Sequence, residues 1–358
     1  MAKNTAKSNT WEVTEVIGGV DTHADTHTVA ALDQVGGLLG VAMFPATAAG
    51  YRDLLDWLSG HGPLGRVGVE GTGSYGAGLA RHLSAAGVRV LEINRPNRAD
   101  RRARGKSDPI DAENAARAVL AGTATGTPKT RDGIVEAIRV LHVTRRGALK
   151  ARTAAHNEMT GLLVTAPDAL AAALKPLSSK QRVRTAASYR PGPLTDPSNA
   201  VKMALRALAR RIQALDEEIA AFDADLQTLT RQAAPALVAE FGVGPDTAAQ
   251  LLITAGDNPD RLRTEASFAA VCGTQPIPAS SGKTIRHRLN RGGDRQANRA
   301  LHAVLLCRMR YHEPTRAYVT KNKADGKTTK EIMRKLKRYL ARRIYRLLTL
   351  TTTTPATT

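Results

Sequence analysis

From Val201 to Leu229 the apolar residues fall at alternating spacings of four and three: Val201, Leu205, Leu208, Ile212, Leu215, Ile219, Phe222, Leu226 and Leu229. Only an α-helix gathers such positions into one stripe, and a stripe this long is a heptad seam. Charges such as Arg210, Arg211, Asp216, Glu217 and Glu218 fall between the seam positions. The seam requires a partner. One is available in the chain: Ile134 to Leu163 reads as a weaker helix with Ile134, Ile138 and Leu141 on one face. The two would form an antiparallel hairpin, or the seam would pair with a second copy. Between them "KPLSSKQRVRTAASYRPGPLTDPSN" reads as an interrupted linker rich in Pro, Ser and Arg. No internal repeat is visible.

The first third is organised differently. "VIGGVDTH", "THTVAALD" and "LLGVAMF" read as three strands in close succession. "TAAGYRDLLDWLSGH" has helical spacing, "RVGVEGTGS" is a strand ending in a glycine-rich turn, and "YGAGLARHLSAAG" is a helix. "VRVLEI" is a fifth strand and "DPIDAENAARAVLAG" a third helix. Three strands in meander followed by alternating α and β units fit a ribonuclease H-like α/β fold. After about residue 233 the pattern is mainly helical: a helix–glycine turn–helix, a short helix "EASFAAVCG", a loop and hairpin "TQPIPASSGKTIRHRLNRGG", then basic helices such as "MRKLKRYLARRIYRLL". The expected division is a disordered arm over 1–13, an α/β domain over 14–125, a helical coiled-coil region over 126–232, a C-terminal domain over 233–349 and a disordered tail over 350–358.

Composition narrows the partner. Among 358 residues, 52 Lys and Arg against 32 Asp and Glu give a formal net charge of +20. A chain so basic is expected to meet a polyanion. No apolar run is long enough to span a bilayer, and "MAKNTAKSNT" lacks the apolar core of a signal peptide, so a cytoplasmic location is expected. Two separated cysteines, Cys272 and Cys307, argue against a disulfide framework or a cysteine zinc site.

Against that charge, four acids stand out. Asp21 ends the first strand and Glu70 the fourth. In a sheet of this topology these strands are central neighbours, so both side chains would face one crevice. Asp108 and Asp111 lie three apart on the third helix and project from one face. Four such carboxylates suit two Mg²⁺ ions, which prefer oxygen ligands and can clamp the attacking and leaving oxygens of a phosphoryl transfer. The competing account makes Asp108 the N-cap, Pro109 the first helical residue and Asp111 an acid of the first turn. Asp25 is a further acid of uncertain direction. His23 and His27 have a spacing that suits zinc on a helix, but they fall at a strand turn, where that spacing has no meaning.

Other segments invite nucleic acid. "GTGSYG", 71–76, is either a phosphate-cradling loop, as in an actin-like ATPase, or a turn that presents Glu70 and starts a helix. "FGVGPDTAAQLL" resembles a helix-hairpin-helix in which Gly242 and Gly244 would free backbone N–H groups for a phosphate. Ser280 and Ser281 precede Lys283, Arg286 and Arg288, cations able to stabilise charge on an attacked phosphodiester. Those cations, Arg291, and the run Arg98, Arg101, Arg102, Arg104 and Lys106 are expected phosphate contacts. Aromatics are scarce, so base stacking is not the main mode expected.

Taken in order, "GVDTHADTHTVAALD", "VGVEGTGSYG", "NRPNRADRRARGKSDPIDAENAA", "FGVGPDTAAQLL" and "FAAVCGTQPIPASSGK" resemble the DEDD-type insertion-sequence transposases, the bridge-RNA-guided serine recombinases of bacteria. The resemblance covers about residues 16–349. It implies a RuvC-like N-terminal domain, a coiled coil and a C-terminal transposase domain. It further implies Asp21, Glu70, Asp108 and Asp111 as metal ligands and Ser281, beside Ser280, as the nucleophile. Donor and target DNA, a structured noncoding RNA and a dimer or tetramer are the implied partners. The interrupted middle region departs from a plain helical hairpin. A metal-dependent junction nuclease without serine chemistry is the alternative on the same fold.

Overall fold

A computed structural model describes residues 12–93, 107–283 and 287–350. The chain divides into two compact units, residues 1–130 and 131–358.

The first unit is a five-stranded sheet with helices on both faces. β1 (Val16–Thr22), β2 (Thr26–Leu32) and β3 (Leu38–Pro45) form an antiparallel meander. α1 (Ala48–Ser59), β4 (Leu64–Glu70), α2 (Ala77–Ala85), β5 (Arg89–Ile93) and α3 (Asp108–Leu120) follow. The strand order is β3-β2-β1-β4-β5, with β4 parallel to both its neighbours. β1 and β2 are near-continuous apolar runs because both their faces are covered. On one face Val16, Val20, Val29, Val67 and Val69 pack against Leu54, Leu58, Leu79 and Leu83 of α1 and α2. On the other Ile17, Leu32 and Leu91 pack against Ala116 and Val119 of α3. The predicted element order and the side-by-side pairing of β1 with β4 are both present.

The chain is held earlier than the expected arm allows. The Gln34 amide donates to the Glu12 carbonyl at 3.0 Å, and Val13 packs on the sheet core. Residues 1–11 lie outside the described residues, as do 351–358 of the expected tail, whose first position, Leu350, ends a helix.

In the second unit the seam helix α7 (Pro197–Ala233) runs antiparallel to α4 (Ile134–Val164). The direction is fixed by three ion pairs that step down one helix as they step up the other: Arg145–Asp223 at 2.6 Å, Arg152–Asp216 at 2.7 Å and Glu158–Arg211 at 3.7 Å. The Arg152 and Arg211 pairs are largely exposed and contribute little, about 0.2–1 kcal/mol each, so they chiefly set register. Burial decides the pairing, at roughly 1.5–3 kcal/mol per large apolar side chain. Met159 and Leu163 of α4 share a core with Leu205, Leu208 and Ile212 of α7. All nine seam residues are buried or half-buried. The seam is therefore satisfied within one chain and needs no second copy.

The segment between these helices is not the plain linker its Pro and Ser content suggests. It holds α5 (Asp168–Leu174) and α6 (Ser179–Ala187), the latter started by a reciprocal capping box between Ser178 and Gln181. Leu170, Leu174, Val183 and Ala186 bury themselves on the helix pair. The apolar positions were too few per helix to register as periodicity, but they pack on a face already formed.

The C-terminal part comprises α8 (Pro235–Val238), α9 (Pro245–Ala255), α10 (Glu265–Val271), a two-residue hairpin of β6 (Ile277–Pro278) with β7 (His287–Arg288), and the helices α11 (Arg295–Tyr311), α12 (Glu313–Ala324) and α13 (Thr329–Leu350). Val135, Ile138 and Leu226 from the base of the helix pair enter its core beside Leu251, Phe268, Leu301 and Ile344. Cys272 is buried and Cys307 half-buried, both free thiols. Among the described residues no helix is long and apolar enough to cross a membrane.

Asp246, at the start of α9, ties this part to α4. It accepts from His142 Nε2 at 3.1 Å and from Arg145 Nη1 at 2.9 Å. The bond from His142 leads in holding the Asp246 carboxyl below its ordinary range. A depressed carboxyl stabilises the fold above its unfolded pKa and loses that contribution as pH falls through the folded one. Asp246→Asn should lower the melting temperature at pH 7 by about 2 °C, discounted for the half-exposed carboxylate. The difference should shrink in melts recorded at progressively lower pH, below the ordinary carboxylate range.

Candidate active site

The site is assembled at one end of the sheet by a close helix–strand approach. Ile17, Gly19 and Asp21 alternate onto the α3 side of β1, and Gly68 and Glu70 do so on β4. A Cβ on Gly19 would lie 2.1 Å from the Ala116 nitrogen and 2.3 Å from the Ala112 oxygen. One on Gly68 would lie 2.9 Å from the Ala115 oxygen. Two glycines facing three alanines let α3 lie directly on the strands. Its first turn then stands over the C-terminal ends of β1 and β4.

That approach places Asp108 and Asp111 near Asp21, which is 6% exposed. Burial, foremost, pushes the Asp21 carboxyl up; the charges of Asp108 and Asp111 push the same way, while His23 opposes them. His23 Nε2 lies 3.2 Å from Asp21 Oδ2 and 3.4 Å from Asp108 Oδ1. Glu70 is level with Asp21 on the adjoining strand, Val20 being the register partner of Val69. The Glu70 carbonyl accepts from Thr22 Oγ1 at 3.0 Å. Asp21, His23 and Asp108 present ligand atoms all within 4.8 Å of one another; the carboxylates of Glu70 and Asp111 stand outside that tight group.

The capping account is corrected. The N-cap is Ser107, with no side-chain capping bond, and Asp108 is already helical with Pro109 after it. Asp108 is therefore not positioned by a cap. Both acids also sit in the first turn, where the helix dipole favours negative charge. Asp25 is exposed in the β1–β2 turn and belongs to no such group among the described residues. The two histidines part company. His27 is buried on the opposite face, stacked on Tyr51 with centroids 5.6 Å apart. His23 turns to the acids. Strand spacing gave no hint of this, because the turn between β1 and β2 begins at His23.

A divalent cation suits this donor set. Close carboxylates disfavour one another's ionisation unless positive charge joins them. The Thr28 hydroxyl, cross-strand from Asp21, is buried with no hydrogen-bond partner among the described residues.

In two rival phosphate sites several N–H donors are already engaged. In 71–76 the N–H groups of Ser74 and Gly76 both donate to the Gly71 carbonyl, so the turn closes on itself. In the helix-hairpin-helix-like turn Gly242 has φ +82°, but Val243 N–H donates to Glu240 and Gly244 N–H to Thr247 Oγ1. Each turn thus engages two of its own N–H groups with its own acceptors.

Comparison with known proteins accords with this geometry. Residues 18–167 match the IS110 DEDD transposase model, and residues 236–320 match the transposase model of the IS116/IS110/IS902 family. The chain belongs to the DEDD-type insertion-sequence transposases. It is 34% identical over 134 residues to an uncharacterised 43.6 kDa protein of insertion element IS110 from Streptomyces coelicolor, covering 37% of this chain and 33% of that protein. It is 30% identical over 179 residues to a probable family 20 transposase of Pseudomonas aeruginosa, covering 49% of this chain and 51% of that protein. The chain thus spans a third and about half of these curated relatives. The second family match takes in the hairpin where Ser280 and Ser281 lie, both exposed, between β6 and β7. Lys283, Arg288 and Arg291 are exposed nearby in sequence. An open cleft of about 790 Å³ adjoins the hairpin, lined in part by His287, Arg288, Lys330, Arg334 and Lys337. Arg98, Arg101, Arg102, Arg104, Lys106 and Arg286 lie outside the described residues.

Proposed function

We propose that the chain is a DNA transposase that excises and inserts its own element, guided by a structured noncoding RNA. Asp21, Glu70, Asp108 and Asp111 would hold Mg²⁺ and Ser281 would act as nucleophile. The observation that carries this reading is the convergence of Asp21, Asp108 and Asp111 at the end of a ribonuclease H-like sheet in a chain of net charge +20. When bound, the cations would supply charge stabilisation to the scissile phosphate and to the attacking and leaving oxygens.

The chain's own groups have separable tasks. The acids orient the cations. The Ser281 hydroxyl gives up its proton, its oxygen bonds to phosphorus, and one phosphorus–oxygen bond to deoxyribose breaks. The released sugar oxygen takes a proton. Reversal with a second DNA end would complete strand exchange. Lys283, Arg288 and Arg291 would hold phosphates electrostatically. In the family the resemblance implies, the serine of one subunit meets the acids of another, so a homo-oligomer acting on cytoplasmic DNA is the proposed working form.

Ser281→Ala tests the serine step. With guide RNA, donor and target DNA supplied, it should abolish the protein–DNA adduct trapped by denaturation and cut strand exchange by about a thousandfold. Ser280→Ala should retain both. Adduct formation by Ser281→Ala would instead favour a metal nuclease or a different nucleophile.

A further inference from the structure

We propose that His23 is itself a ligand of the cation site, and that its nitrogen biases the site toward Mn²⁺ over Mg²⁺. The proposal rests on the reading of the acids as cation-binding and adds a residue to it. His23 Nε2, Asp21 Oδ2 and Asp108 Oδ1 approach from three different elements: a turn, a strand end and a helix start. All three ligand atoms fall within 4.8 Å of one another, the spread that neighbouring ligands of one ion require.

A second observation points to a ligand at the same place. Thr28 is the register partner of Asp21 across the β1–β2 ladder, so the two side chains share a face. Thr28 is 2% exposed and its hydroxyl has no hydrogen-bond partner among the described residues. Buried hydroxyls are rarely left so. This one, beside Asp21, implies a polar group other than the protein's own.

Donor chemistry sets the preference. Mg²⁺ is hard, holds its waters and takes carboxylate oxygen readily but imidazole poorly. Mn²⁺ accepts the same oxygen donors and, as the first ion of the transition-metal series that mixed nitrogen and oxygen sites bind, tolerates an imidazole nitrogen better than Mg²⁺ does. A site of oxygens alone would discriminate little between the two. His23 is half-exposed on a turn, so its side chain is not needed to hold the core.

The test is a titration of the metal-free full-length protein with Mn²⁺ and with Mg²⁺, joined to pulsed electron paramagnetic resonance of the Mn²⁺ form. Wild type should bind Mn²⁺ at least about tenfold more tightly and show coupling of the ion to a ¹⁴N nucleus. His23→Gln should lose that coupling and weaken Mn²⁺ about tenfold, with Mg²⁺ affinity changed less than about threefold. A wild-type spectrum without ¹⁴N coupling would overturn the proposal with no variant needed. An unchanged Mn²⁺/Mg²⁺ ratio in His23→Gln would do so too, leaving His23 a counter-ion of the acids. Asp21→Asn separates the two readings: if it binds both cations as wild type does, the acid site itself is wrong.

Discussion

Asp21→Asn is expected to reduce strand exchange by about a hundredfold or more while raising the melting temperature of the metal-free protein. The first effect follows from the proposed role of Asp21 as an anionic ligand in the acid group. The second follows from burial. The Asp21 carboxyl is pushed above its ordinary value, chiefly by burial and further by Asp108 and Asp111. For a group raised on folding, stability is present below the unfolded pKa, near 3.9, and lost as pH rises through the folded value. At neutral pH the buried charge is therefore a net cost that an amide removes. Relief of about 1 kcal/mol would raise the melting temperature by about 2–4 °C. Saturating Mn²⁺ or Mg²⁺ should reverse the order, since only wild type gains from binding. Melts with and without cation, beside an exchange assay, check both halves. A variant less stable without metal would mean that Asp21 serves the fold rather than the cation.

Gly19→Ala should unfold the first unit or cost it roughly 3 kcal/mol or more, the upper range for overpacking. The added methyl meets backbone atoms of Ala112 and Ala116 at 2.3 and 2.1 Å, and backbone cannot rotate away as a side chain can. α3 would have to lift from β1, carrying Asp108 and Asp111 from Asp21. The control is Gly147→Ala in α4, where nothing lies within 4 Å of the new methyl. There the same change should stabilise by about 0.5–1 kcal/mol, through helix propensity alone. Denaturant unfolding of both variants checks the contrast. Equal stabilities would mean that α3 does not approach the sheet so closely.

Much of this protein was legible in its residues. The order of strands and helices in the first unit follows from apolar runs, periodicity and glycine stops, each a property of short windows. The candidate acids were found because strand ends and a helix start are also local features, and the charge balance made them conspicuous. Less visible were the glycines that make the site. Gly19 and Gly68 look like weak points in two strands, and only their neighbours on α3 explain them. His23 reads in the sequence only as half of a spaced pair at a strand turn. The pair does split, but one member joins the acids.

The middle region shows the same limit. Periodicity announced the seam helix, yet left open whether its partner was a second copy or α4. Ion pairs between residues more than 50 positions apart settle the direction. α5 and α6 hid in a Pro- and Ser-rich stretch because short helices draw their stability from the face they cover, not from their own propensity.

By itself, then, the sequence determined the elements of the first unit and their order, the seam helix, the strand ends and helix start that carry the acids, and a charge from which a polyanionic partner is expected. Only the tertiary structure decided that the seam closes within the chain, that His23 faces Asp21 and Asp108 while His27 faces away, and that α3 lies close enough to bring its acids to the sheet. The physical reason is range. Backbone propensity and apolar spacing act over a few residues, whereas the meeting of residues 21, 23 and 108 depends on how two surfaces fit.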